Sequence, residues 1–122
     1  MGLSPQTTRT GGEDFRWLGS RHGFVNAKSY LLDGTKFPAA QYPGGVVPSG
    51  QTLALVANKA VPFDPASTTG AQNFLGVLTV ARDVSEGDEL GPVMWHGLIH
   101  STYLPATSKV PAAAAAGQLK FA

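Results

Sequence analysis

The chain has 122 residues, no cysteine, and a formal net charge of +1 from nine basic and eight acidic side chains. That length is one domain able to bury a core of its own, and the lack of cysteine excludes disulfides, thiolate metal sites and a cysteine nucleophile. The balanced charge argues against a strong electrostatic grip on nucleic acid or anionic lipid.

Residues 1–12 are small, polar and glycine-containing, with nothing to bury, and read as a flexible arm. The start at Met1 lacks the basic-then-apolar pattern of a secretory leader. Residues 13–24 add Phe15, Trp17, Leu18 and Phe24, broken by Gly19 and Gly23, with a sustained period of neither 2 nor 3.6. Such a segment has anchors but no core. It packs on its own domain, with Trp17 against the sheet, or it docks on a partner and orders there. The chain therefore divides into an extended N-terminal arm, 1–24, and a single domain, 25–122.

From residue 25 the pattern is β. Val25–Leu32 forms a candidate strand ended by the Asp33-Gly34 turn. Residues 42–50 form a loop around the apolar pair Val46-Val47. Pro48-Ser49-Gly50 turns the chain into a strand over 51–56, with Leu53 and Leu55 on one face, ended at Asn58-Lys59. After a loop over 62–70, residues 73–81 are a nearly continuous apolar run, the mark of a buried strand. Asp83–Glu89 is an acidic turn, and residues 92–100 are another strand. Pro111, five alanines and Gly117 predict one or two turns of helix, since proline suits the first helical position and glycine the stop. A helix that short needs packing. Leu119 and Phe121 alternate with polar neighbours and predict a last strand that tucks this end into the sheet. The expected fold is mostly β, with one short C-terminal helix and the arm.

No apolar run approaches the ~18–20 residues of a membrane span. Charged residues are 14% of the chain, against about 25% in an average soluble domain. Between residues 37 and 81 the charges are Lys59 and Asp64 alone; from 91 onward they are Lys109 and Lys120. A surface this poor in charge is either an ordinary quiet one or one that faces another protein.

Chemical motifs are sparse. His96 and His100 have the i, i+4 spacing that on a helix could hold zinc. On a strand the same spacing separates them by ~13 Å, and neither glutamate nor cysteine stands beside them. The sequence has no Gly-x-Ser-x-Gly elbow and no Walker loop. The carboxylates of Glu86-Gly87-Asp88 sit in a turn, where such groups are normally solvated and guard against aggregation. Neither an enzyme nor a cofactor finds support. Arg16, Trp17, Arg21 and His22 place an aromatic among cations, as single-strand binders do. Residues 1–30 hold Arg9, Arg16, Arg21 and Lys28 against Glu13 and Asp14, a weak electrostatic funnel.

The block Gly76-Val77-Leu78-Thr79-Val80, the acidic turn, Val93-Met94-Trp95 and Tyr103-Leu104-Pro105 together resemble the lambda-type head decoration (capsid cement) proteins of tailed bacteriophages. Pro48-Ser49-Gly50-Gln51-Thr52-Leu53 fits that family's entry strand. The run Phe15, Arg16, Trp17, Leu18, Gly19, Ser20, Arg21, His22 and Gly23 looks like its arm motif. The resemblance covers roughly residues 15–122. It implies a small, mostly β domain of β-clip type. It also implies a homotrimer on the threefold positions of the expanded capsid, at the outer surface of the virion. The partner implied is the major capsid protein, with no direct contact to nucleic acid or membrane.

In that frame the arm, Phe15 to His22, adds a strand to a capsid protein sheet. Phe15, Trp17 and Leu18 would be the anchors, with Arg16 and Arg21 at the rim. Ordering ten residues costs on the order of 10–20 kcal/mol, and three large side chains return about 5–9 kcal/mol. Three arms on one trimer are therefore needed, and a chain lacking residues 1–24 is expected to lose decoration steeply. The alternative is a small β-rich glycan- or ligand-binding module displayed on a virion. It would use a concave site lined by Trp95, Tyr103 or Tyr42.

Overall fold

Short apolar runs cut by proline, glycine and asparagine turns fold into β1 (Lys28–Leu32), β2 (Val46–Val47), β3 (Thr52–Val56), β4 (Lys59–Pro62), β5 (Phe74–Leu78), β6 (Arg82–Asp83), β7 (Glu89–Met94), β8 (His96–Ile99) and β9 (Gln118–Phe121). The computed structural model describes residues 14–19, 24 and 26–122. Residues 1–13, 20–23 and 25 lie outside the described residues.

Five strands close into a barrel in the order β1–β4–β3–β5–β7, with β7 returning to β1. The hairpin from β3 to β4 turns on Ala57 and Asn58, both at positive φ (52° and 69°). Two such residues give the primed turn whose twist matches a two-residue hairpin. Asparagine tolerates this conformation well and alanine does so poorly. The chain therefore pairs again at once where the sequence suggested a strand end. Closure rests on one parallel pair, Leu32 with Ala60, and on the 3.0 Å bond from the Asp33 N–H to the Ala60 carbonyl. Gly76 lets β5 meet β7: a Cβ there would stand 2.4 Å from the Met94 carbonyl oxygen.

Inside the barrel, Leu32, Val47, Leu53, Leu78 and Val93 pack with Phe37 and Tyr42. The Phe37 and Tyr42 rings meet edge to face at 5.1 Å. The two-stranded ladder of β2 and β6 lies beside it.

The expected strand over 92–100 breaks at Trp95. Beyond the break, β8 leaves the barrel and pairs in parallel with β9, from His96 with Gln118 to Ile99 with Phe121. The last strand thus exists as predicted, but it joins β8 rather than the barrel. A second cluster fills the space between this ribbon and the barrel: Trp17, Val77, Met94, Ile99 and Leu119 are buried there.

The predicted C-terminal helix is a single 3-10 turn, Ala113–Ala115. Its alanines are exposed and Ala112 offers no capping side chain, so nothing offsets the cost of helix nucleation. Gly117, at φ 64°, then turns the chain into β9.

Residues 104–109 belong to no strand but run as a strap across the start of β3. Thr107 Oγ1 donates to Gln51 Oε1 at 2.5 Å, and Ser108 Oγ to the Gly50 carbonyl at 2.8 Å. The Lys109 N–H reaches Thr52 Oγ1 at 2.9 Å. Gln51 and Thr52 are fully buried, and the strap supplies the partners that buried polar groups require.

Candidate interaction surface around the N-terminal segment

Within the segment expected to be the arm, Phe15 to Gly19 lies against β8. The Gly19 N–H donates to the Leu98 carbonyl at 2.8 Å, and the His100 N–H to the Trp17 carbonyl at 2.7 Å. Leu18 makes an antiparallel bridge with Ile99. The segment occupies one edge of β8, and β9 holds the other.

Trp17 fixes this arrangement. It is 0% exposed. Its indole Nε1–H donates to Ser49 Oγ at 3.1 Å, and the Ser49 hydroxyl donates in turn to the Thr79 carbonyl at 2.7 Å. Every buried polar group in the chain indole–hydroxyl–carbonyl therefore has a partner. The slot exists because Gly50 sits at φ 93°; a Cβ there would stand 2.8 Å from Trp17 Cδ1. Of the two destinations open to Trp17 in the sequence, its own sheet is the one found. The Trp17 indole is covered on this domain and is not exposed at the surface. Leu18 packs half-buried against the same cluster.

Phe15 and Arg16 remain at the surface. Phe15 is 40% exposed and meets Phe24 edge to face at 5.6 Å. Arg16 grips Asp14 through Nε (3.0 and 3.1 Å) and Nη2 (2.7 Å) and lies 4.9 Å from the centre of the Tyr103 ring. The hydrogen bonds from Arg16 hold the Asp14 carboxyl down to about 2. Ser20, Arg21 and His22 lie outside the described residues.

From this corner a shallow trough runs along the strap. Its mouth is lined by Asp14, Arg16, Tyr103, Pro48 and Pro105. It continues past the same two prolines to Val46 and Ala106, and ends between Gln41, Pro62, Thr107 and Lys109. Tyr42 lies beneath it, and burial pushes its phenol pKa up, against the hydrogen bond with Thr107. Tyr103 and the edge of Tyr42 border this trough. Trp95 does not: its indole donates to the Asn26 carbonyl at 3.2 Å, with Lys28 Nζ 5.4 Å above the ring and the His96 ring 4.2 Å away. Of the aromatics offered for a ligand site, Tyr103 and Tyr42 border this trough and Trp95 lies outside it.

The acidic turn does structural work. Asp88 accepts the Gly34 N–H at 2.9 Å and pairs with Lys59 at 2.7 Å; Asp83 accepts the Ser85 N–H at 2.8 Å. His96 lies in β8, and His100 gives its backbone to Trp17. Among the described residues no group of three His, Asp or Glu side chains is placed to hold a metal ion, and no helix is long and apolar enough to cross a membrane.

Sequence reasoning missed Ser49 as the indole's acceptor and the trough along the strap. Pro48-Ser49-Gly50 carried a turn signal, and a turn signal says nothing about which side chain comes to rest on it. Comparison with protein-family models, with curated proteins and with solved structures finds no match to this chain.

Proposed function

We propose that the protein is a capsid decoration protein of a tailed phage. It binds as a trimer at threefold positions on the outer surface of the expanded capsid and clamps neighbouring major capsid proteins. The resemblance in residues 15–122 and the β-clip type of fold that it implies belong to this proposal. One observation carries it furthest. Trp17 pins the segment that follows residue 13 to β8, beside the exposed side chains of Phe15, Arg16 and Tyr103. A clamp needs such an anchorage: an arm that pulls on a partner must be held firmly at its own end.

The burial of Trp17 and Leu18 changes how the clamp would work. Of the three expected anchors, Trp17 is buried, Leu18 half-buried and Phe15 exposed, and Phe15 is worth about 1.5–3 kcal/mol on full burial. Backbone hydrogen bonds from residues 1–13 and threefold repetition then supply the rest of the affinity. The change also alters the test. Removing residues 1–24 would take Trp17 out of the core, so the informative truncation removes residues 1–12. Both forms are co-sedimented with expanded, undecorated capsids. Binding by the full chain and its steep loss in the truncation is the expected result. Binding by both moves the contact to the folded domain, and binding by neither overturns the proposal.

A second reading, a glycan- or ligand-binding module, draws on Tyr103, 46% exposed at the mouth of the trough. Monomeric behaviour with saturable binding on a glycan array would mark it.

A further inference from the structure

The barrel wall carries an exposed knob and an apolar groove that the decoration proposal does not use. Leu32 lies inside the barrel, so Leu31 before it faces out, and so does Leu90, its partner across the β1–β7 ladder. Leu90 is 60% exposed, the most exposed large apolar side chain among the described residues. Two strands away, the hairpin of β3 and β4 floors a groove of about 380 Å³, lined by Val56, Val61, Pro62 and Ala71. We propose that this groove receives Leu90 of a second copy of the chain, with Glu89 of that copy pairing with Lys36 at the rim.

Charge and shape select this occupant. The ion pairs among the described residues join Arg16 to Asp14, Lys59 to Asp88 and Lys109 to Asp64. Lys36 and Glu89 belong to none of them, and both are exposed. At the groove, the Asp64 carboxylate is engaged by Lys109 at 3.5 Å and by the Ala66 N–H at 3.0 Å. Lys36 is therefore the uncompensated charge, and the groove suits an apolar residue beside a carboxylate. Glu89-Leu90 is such a pair. Successive strand residues point to opposite sides, so as Leu90 enters the floor, Glu89 turns away from it, towards the rim where Lys36 stands. The floor is firm: Gly70, at φ 118°, brings its loop so close to β3 that a Cβ there would stand 3.0 Å from Val56. Pro62 has no N–H, so an added strand finds no full ladder along the end of β4, and side chains must make the contact. Strand β1 lies between Leu90 and the groove, so a chain does not fill its own groove. Knob and groove are different patches of one surface. The contact is thus head to tail, and such contacts repeat into a ring or a filament. A threefold ring is the form that the decoration proposal calls for, but the contact does not rest on that proposal.

Sedimentation velocity of the full chain, followed from micromolar to millimolar concentration, reads the contact. The expected result is a mass that rises with concentration past that of a dimer. Leu90→Ser should lower the association constant by about tenfold or more, as the loss of one buried leucine requires. Lys36→Glu and Glu89→Lys should each weaken association, and the two together should restore it. All three positions are exposed, so circular dichroism should show the barrel intact in every variant. Four results would overturn the proposal: a monomer at every concentration, growth that stops at a dimer, association that Leu90→Ser leaves unchanged, and a double exchange that fails to restore it. Capsid co-sedimentation reads the decoration proposal separately, so either can fail alone.

Discussion

In the barrel each buried side chain is set by a ladder that returns on itself, so β1, β4, β3, β5 and β7 constrain one another all the way round. The ribbon has no such closure. β8 carries β9 on one edge and the single bridge of Leu18 on the other, and an indole wedged beneath holds it to the barrel. The barrel's thinnest seam joins β1 to β4 through the single pair of Leu32 with Ala60. The ribbon depends on one residue contributed from far away in the chain: Trp17 and Ser49 are 32 positions apart. A partner pulling on the N-terminal segment would load this second region, not the first.

The sharpest way to break that comparison is Trp17→Ala. Emptying a fully buried indole site costs about 3–5 kcal/mol, to be read from urea denaturation. Amide exchange should accelerate first at Gly19 and His100, whose N–H groups bond across the ribbon, while β1 and β7 stay protected. Equal acceleration in both regions would mean that barrel and ribbon open as one unit. Gly76→Ala attacks the other side. Its Cβ would meet the Met94 carbonyl oxygen, and overpacking of this kind costs about 1–3 kcal/mol. Here exchange should accelerate along β5 and β7.

The smallest effect is electrostatic and belongs to the barrel. The Lys59 ammonium and the Gly34 N–H hold the Asp88 carboxyl below its usual range. A carboxyl with a depressed folded pKa adds stability at neutral pH, and loses it as pH falls below about 4, where the unfolded chain takes up the proton first. Lys59, raised in turn by Asp88, adds stability that is lost as pH climbs through the lysine range. Asp88→Asn should flatten the acid arm of a plot of urea midpoint against pH, and an unchanged slope would remove this pair from the account.

The β class was legible, and so were strands near 52–56 and 74–78, because apolar runs bounded by turn residues leave few other options. Strand β4 was not. Lys59-Ala60-Val61-Pro62 is short, starts with a charge and ends with a proline, and the Ala57-Asn58 turn before it lacks the glycine that advertises a primed hairpin. The break at Trp95 was hidden because Val93 to Ile99 is apolar on both sides of it. The alanine run overstated the helix, since good propensity over five residues cannot replace an apolar face. At the candidate site, the aromatic residues announced that 13–24 must pack somewhere. Where they pack was decided by Gly50 and Ser49, whose local pattern spelled only a turn. The trough was invisible because it is made of loops that are distant in sequence.

The chain's two tryptophans occupy opposite environments, and this makes the protein its own fluorescent gauge. Trp17 is dry and hydrogen-bonded to Ser49, the setting of a blue emission; Trp95 is half-exposed between Lys28 and the His96 ring. Emission from the two can be separated by an aqueous quencher that reaches Trp95 and not Trp17. A force or partner that lifts the N-terminal segment off β8 would wet Trp17 and shift its light to the red. The indole that fixes the segment in place would thus report, without any added dye, when that hold is released.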